Sequence, residues 1–227
     1  MSGIFIKILV EGKEEKAFFD IVKEIGINEN LYVDIEDVSG YGNFGDTALS
    51  ILRSDNYDCV LFVYDVDNKS NDQDSPFNIV QKTLFNIFGD RKIVDKVSFC
   101  TNPNILQYFL LAMDELNNVK LTSSSKAKNT PIVHKYWPDI ASNAKDKNNR
   151  KIKKGYTGAS WQLDIMKYSI INNKNSYNQL LENAKALPTD YRSDIPSGNL
   201  LPLLIALRDG DEQFFNNIIR LLDSNFG

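Results

Sequence analysis

Three carboxylates stand where two apolar runs end. The run Ile6-Lys7-Ile8-Leu9-Val10 closes in Glu11-Gly12-Lys13-Glu14-Glu15, and Cys59-Val60-Leu61-Phe62-Val63-Tyr64 closes in Asp65-Val66-Asp67. Residues two apart in an extended chain point to one side, so Asp65 and Asp67 are expected to share a face. Two carboxylates on one side, with Glu11 arriving from a neighbouring strand, repel unless something positive lies between them. Mg²⁺ or Mn²⁺ is the expected cofactor, because hard cations take oxygen ligands and Mg²⁺ usually needs only one or two carboxylates beside water and phosphate. Taken alone, Asp-x-Asp serves equally well to begin a turn.

The elements that must carry these groups follow from periodicity. A short apolar run without polar alternation suits a strand buried on both faces of a parallel sheet, and ligands collect beyond the carboxyl ends of such strands. Strands are expected over Ile4 to Val10, Tyr32 to Val38, Asp58 to Tyr64 and Val94 to Cys100. Helices are expected between them. Glu14 to Ile25 has Ala17, Phe18, Ile21, Val22 and Ile25 at helical spacing, with Gly12 allowing a sharp turn before it and Gly26 capping its end. A short helix capped by Asp46 or Thr47 runs through Arg53, another spans Phe77 to Phe88 before Gly89, and Ile105 to Asn117 follows Thr101-Asn102-Pro103-Asn104, where Pro suits a first turn. The glycine-rich Ser39 to Gly45 loop could cradle a phosphate through its amides. It matches neither common nucleotide-binding glycine pattern, so a flexible connection is the preferred reading. These alternations predict an α/β fold, a small parallel-sheet, Rossmann-like core, followed by a helical C-terminal region.

Composition narrows the class. The 227 residues suit one domain with an appendage or two small ones. No apolar run approaches the ~20 residues needed to span a bilayer, and the N-terminus has no secretion-signal pattern. Cys59 and Cys100 lie in strand-like runs without C-x-x-C spacing, and the single His134 lacks ligand-type neighbours. Zinc and Ser-His-Asp chemistry therefore have little support. The expectation is a cytoplasmic protein without membrane association.

The net charge of −4 hides an asymmetry: from Lys120 to Lys154, Lys and Arg strongly outnumber Asp and Glu. This stretch holds an island, Pro131 to Pro138, with Tyr136 and Trp137. It reads either as an arm that tracks a nucleic-acid backbone and stacks on a base, or as a solvated connection. Beyond it, helices are expected over Gly158 to Ile171, Asn175 to Leu187, Gly198 to Arg208 and Glu212 to Leu222, with Arg192 and Asp194 in a loop. The expected organisation is a core over 1–118, a basic segment over 119–155 and a helical region over 156–227.

A strand ending in Glu-Gly-Lys-x-Glu, followed by a later one ending in Asp-x-Asp, resembles the Toprim domain of topoisomerases, primases and OLD-type and RloB-like nucleases. The matching residues are Glu11, Gly12, Asp65 and Asp67. The resemblance covers about the first half of the chain and implies a Mg²⁺ site formed by Glu11, Asp65 and Asp67. Asn102-Pro103 before an apolar helix is similar to an RloB-like motif, but an acid expected at the helix start is replaced here by Asn104, Ile105, Leu106 and Gln107; Asp114 and Glu115 come too late to replace it. Lys153-Lys154-Gly155-Tyr156 and Ala184-Lys185-Ala186-Leu187 resemble the family's Lys-containing turn and helical tail.

The resemblance implies a Mg²⁺-dependent enzyme acting on phosphodiester bonds of nucleic acid, with Asp65 and Asp67 holding the metal. Glu11 either binds it or takes a proton from attacking water, and Lys13, Lys153 and Lys154 steady phosphates. It also implies a role in defence against phage with an ATPase partner, and leaves room for a homo-oligomer. The alternative is a catalytically degenerate Toprim-like interaction protein. A receiver is disfavoured because Glu11 stands where an adjacent acidic pair is expected. A haloacid-type phosphatase is disfavoured because Asp-x-Asp follows the third apolar run instead of the first.

Overall fold

The computed structural model describes residues 3–54, 56–67, 69, 71–113, 117–121, 170, 171, 173, 175–190 and 196–226. Most of the basic segment (with His134, Tyr136 and Trp137), all but the end of the helix expected at Gly158 to Ile171, and Asp114, Glu115, Arg192 and Asp194 lie outside those residues.

Four parallel strands build the sheet: β1 (Ile4–Val10), β2 (Leu31–Asp37), β3 (Cys59–Asp65) and β4 (Ser98–Asn102). A two-residue β5 (Ser197–Gly198) pairs antiparallel with β4, giving the order β2-β1-β3-β4-β5. The chain moves from β1 to β2 on one side and then to β3 on the other, so the order reverses between β1 and β3. At such a switch point the connections diverge to opposite faces and leave a crevice at the carboxyl ends of the strands.

Helices cover both faces. α1 (Lys13–Gly26) buries Phe18, Phe19, Ile21 and Val22. Phe18 meets Tyr108 and Phe109 of α5 (Leu106–Leu111) edge-on, with centroids 6.1 and 5.4 Å apart. α2 (Phe44–Leu52) and α3 (Pro76–Phe88) pack where β3 turns its even-numbered aromatics: Phe44 lies 6.3 Å from Phe62 and 5.7 Å from Tyr64, and Phe88 and Phe77 close the same cluster. Phe44–Tyr64 and Phe62–Phe88 meet edge-to-face, and pairs of that kind add about 0.5–1.5 kcal/mol each to the burial of their rings. Six of the seven β3 residues are buried, as expected of a strand covered on both faces.

Several boundaries differ from expectation. Val94 to Val97 is not strand but the end of α4 (Arg91–Val97); Asp90 caps it by accepting the Lys92 amide at 2.8 Å, and Ile93, Val94 and Val97 form its buried face. That i, i+1, i+4 spacing is helical, and the β-branched residues conceal it. α2 begins at Phe44, with Asp46 inside its first turn and no side chain capping it. α3 is capped by Ser75, which accepts the Asn78 amide. α5 starts at Leu106, so Pro103 precedes the helix and is not in its first turn; the Asn102–Pro103 peptide is cis.

In the tail, α6 (Ser176–Ala184) contacts α1 and α5, and α8 (Glu212–Phe226) contacts α4 and β3. α7 (Leu201–Asp209) starts later than expected, because Ser197 and Gly198 join the sheet. Asn199 secures that edge: its side chain accepts the Cys100 amide at 2.6 Å and donates to the Ser98 carbonyl at 3.1 Å.

Lys7 sits within apolar β1 yet is only 5% exposed. Its ammonium is 2.6 Å from both Asp34 and Glu36 on β2 and lies over the Tyr57 ring. Burial pulls the Lys7 pKa down, but the two carboxylates overcome this and hold it well above its usual value. Leu31, Val33 and Ile35 point to the core while Tyr32 and Asp34 are exposed. Polar residues are thus tolerated on that face at this edge of the sheet.

Gly26 is the last residue of α1 and not a left-handed cap; Ile27, extended, follows it. A Cβ at Gly26 would lie 2.0 Å from the ring of Tyr177, which is buried and donates to the Leu204 carbonyl at 2.7 Å. Gly26→Ala should therefore destabilise the fold by about 1–3 kcal/mol, the usual range for overpacking, although Ala is intrinsically the better helix former. Urea unfolding of the two proteins measures the sign.

Candidate functional site

Glu11 follows β1 and is fixed from both sides. Its amide donates to the Val63 carbonyl at 3.1 Å, and its carbonyl accepts the Gly40 amide at 2.8 Å. Its carboxylate turns toward β3, where Oε2 accepts the Asp65 amide at 3.3 Å. The ends of β1 and β3 are therefore joined through this side chain.

Asp65 closes β3 opposite Thr101 of β4. Asp65 Oδ1 accepts from the Thr101 hydroxyl at 2.5 Å and from the Ile105 amide at 3.0 Å. Asp67 lies beyond the strand, in the left-handed region at φ 59°. The extended-chain rule that places residues i and i+2 on one side thus does not apply to this pair. Asp67 takes a turn conformation that Asp tolerates, its amide donating to the Pro103 carbonyl at 2.9 Å. It still lines the same cleft as Glu11 and Asp65, so the turn and the site are one feature.

That cleft, about 680 Å³, is bounded by Glu11 to Glu15, Asp37, Ser39, Gly40, Asp65, Asp67 and Asn104. Lys13 is the one cation among these described residues. Lys153 and Lys154 lie outside the described residues. Gly12 has an extended backbone, so its small size matters more than its freedom: a Cβ there would meet Glu15 Oε2 at 3.3 Å. Gly40, at φ 113°, does need to lack a Cβ.

Glu15 reads in the sequence as a first-turn acid that joins the site only if it faces the cleft; it does line the cleft, and it is 4% exposed. A signal for this exists, because positions 15, 18, 19 and 22 form the buried stripe of α1 and three of them hold Phe, Phe and Val. A carboxylate on such a stripe needs a partner. Its partner is Asp65, to which its carboxyl is hydrogen-bonded. Gln107, which stands near the missing acid, does not line the cleft. Its amide is buried and ties down the chain after α5, donating to the Val119 carbonyl at 2.9 Å and accepting the Leu121 amide at 2.8 Å.

Crowded acids in little water resist ionisation. Burial, then Glu15 and Asp67, push Glu11 up to about 7 against the amide of Asp65. Burial, then the charge of Glu15, raise Asp65, while Glu15 is raised chiefly by burial. Two carboxyls bonded to each other need a proton between them. Among the described residues, no three His, Cys, Asp or Glu side chains are gathered into a ready-made metal-binding group. The fit to a hard divalent cation is thus one of donor chemistry: four oxygen-bearing groups face one cleft, and the Glu15–Asp65 pair would have to release its proton to receive a cation.

Compared with family models, with curated proteins and with solved structures, the chain matches none.

The crowding predicts an inverted pH dependence of stability. In the unfolded chain Glu11 loses its proton near 4.5, and in the folded protein near 7. Between those values the folded state holds the extra proton, so stability falls as pH rises, by about 3 kcal/mol from Glu11. Metal-free protein should melt at higher temperature at pH 5 than at pH 8, and Glu11→Gln should remove much of that difference. Melting curves across this range in chelator check it.

Proposed function

We propose that this chain is a divalent-metal-dependent enzyme that cleaves phosphodiester bonds in nucleic acid, as its resemblance to RloB-like Toprim nucleases implies. The observation that carries the reading is the convergence of Glu11, Glu15, Asp65 and Asp67 on one cleft at the switch point of a parallel sheet. Glu11, Asp65 and Asp67, joined by Glu15, are the groups that would hold Mg²⁺ or Mn²⁺. When bound, such a cation supplies positive charge to a phosphate in its transition state and acidifies nearby water.

The chain's own residues have separable tasks. Glu11 either joins Asp65 and Asp67 in holding the cation or takes a proton from attacking water. Lys13, at the start of α1, offers a phosphate a positive partner, and the basic segment with Lys153 and Lys154 extends that contact along the nucleic acid. The same resemblance supports a role in anti-phage defence beside an ATPase, and the absence of a disulfide framework in the sequence supports a cytoplasmic location.

A second reading is favoured by one observation: no ready-made ligand trio exists among the described acids. On that reading the chain is a degenerate Toprim-like interaction protein.

Cleavage of single-stranded DNA, duplex DNA and RNA, with and without Mn²⁺, separates the two. The enzyme reading expects Mn²⁺-dependent cleavage of at least one substrate and a melting temperature raised by Mn²⁺. Asp65→Ala and Asp67→Ala should reduce cleavage to background in folded protein, and Glu11→Gln should slow it by about 10²–10⁴-fold. Cleavage that survives both aspartate substitutions unchanged would remove these residues from the mechanism; no cleavage and no thermal response to Mn²⁺ would favour the interaction protein.

A further inference from the structure

Thr101 is fully buried in β4, in register with Asp65. A hydroxyl in that position is costly unless it is bonded. Its bond is the short one to Asp65 Oδ1, at 2.5 Å. The same oxygen accepts the Ile105 amide at 3.0 Å, so donors from β4 and from the segment after it converge on one carboxylate atom. The backbone repeats this grip: the Val66 amide donates to the Thr101 carbonyl at 2.8 Å, and the Asp67 amide to the Pro103 carbonyl at 2.9 Å. Residues 101–105 thus wrap residues 65–67.

We infer that Thr101 is a positioning residue for metal binding: its hydroxyl, with the Ile105 amide, anchors Oδ1 of Asp65 and so fixes the direction in which the carboxylate presents its second oxygen to the cleft. The inference rests on the proposal that Asp65 holds a divalent cation. Without the hydroxyl, Oδ1 keeps only the Ile105 amide and the carboxylate is less firmly oriented, and a ligand that must be ordered on binding binds more weakly. Hydrogen-bond partners that orient metal ligands typically change metal affinity by about 10–100-fold when removed. Thr101 has no part in the lining of the cleft, and its hydroxyl meets the site through Asp65.

The test is a Mn²⁺ titration of the full chain followed by the electron paramagnetic resonance signal of free Mn²⁺, with metal-free melting curves beside it. Thr101→Val keeps the shape and removes the donor; Thr101→Ser keeps the donor. The expected result is a Kd for Mn²⁺ raised at least tenfold in Thr101→Val and close to wild type in Thr101→Ser. Should Thr101→Val not fold, Thr101→Cys, a much weaker donor, reads the same loss. Equal Mn²⁺ affinity in wild type and the donor-less variant overturns the positioning role, as does an equal loss in Thr101→Ser, which would mean packing alone. Wild-type protein that takes up no Mn²⁺ overturns the metal site itself, and that outcome is visible before any variant is compared.

Discussion

Between the ends of β1 and β3, four carboxyl groups compete for little water. Glu11 and Asp65 are tied to one another's strands, Glu15 is folded against Asp65, and Asp67 closes the turn beside them. Burial and mutual repulsion keep protons on acids that would have lost them in solution. A globular protein seeking stability alone would not gather charge here, since apolar groups of similar volume would pack at lower cost. The arrangement stores a demand for positive charge at one point of the surface, and a proton or a cation can meet it.

The scaffold is organised so that this demand cannot relax. β3 is buried on both faces, and one of them lies under an aromatic cluster, which holds its end in place. β1 delivers Glu11 beside it by ordinary parallel pairing, extended by one further hydrogen bond to Val63. β4 and the segment after it supply the donors that hold Asp65. α1 contributes Glu15 because its buried stripe begins in its first turn, just after β1 ends. Each acid is thus placed by a different element, and the reversal of strand order between β1 and β3 provides the opening toward which all four turn.

Three residues that look out of place in the chain are accounted for by their neighbours in the fold. Gln107 replaces an expected acid, yet it belongs to the interior and clamps the backbone at Val119 and Leu121. Asp67, which alone would be called a turn residue, is one, and contributes its carboxylate to the cleft from that turn. Lys7, a charge in an apolar strand, is matched by two carboxylates on β2 at the edge of the sheet remote from β4.

The sequence by itself determined the elements that have strong periodicity or abrupt ends. The strands leading to Glu11 and Asp65, the helices beginning near residues 13 and 76, and the α/β class are legible, because burial on two faces demands continuous apolar runs and an amphipathic helix demands a stripe. Three kinds of information are not legible. Val94 to Val97 reads as strand because local β-propensity outweighs a short helical spacing that only the buried face of α4 reveals. β5 is invisible because two residues carry no pattern; they become a strand only when β4 offers an edge. Glu15 and Thr101 enter the site only in three dimensions. Nothing near them in the chain names Asp65 as their partner, and that contact exists because a helix and two strands, remote in sequence, meet at the same place.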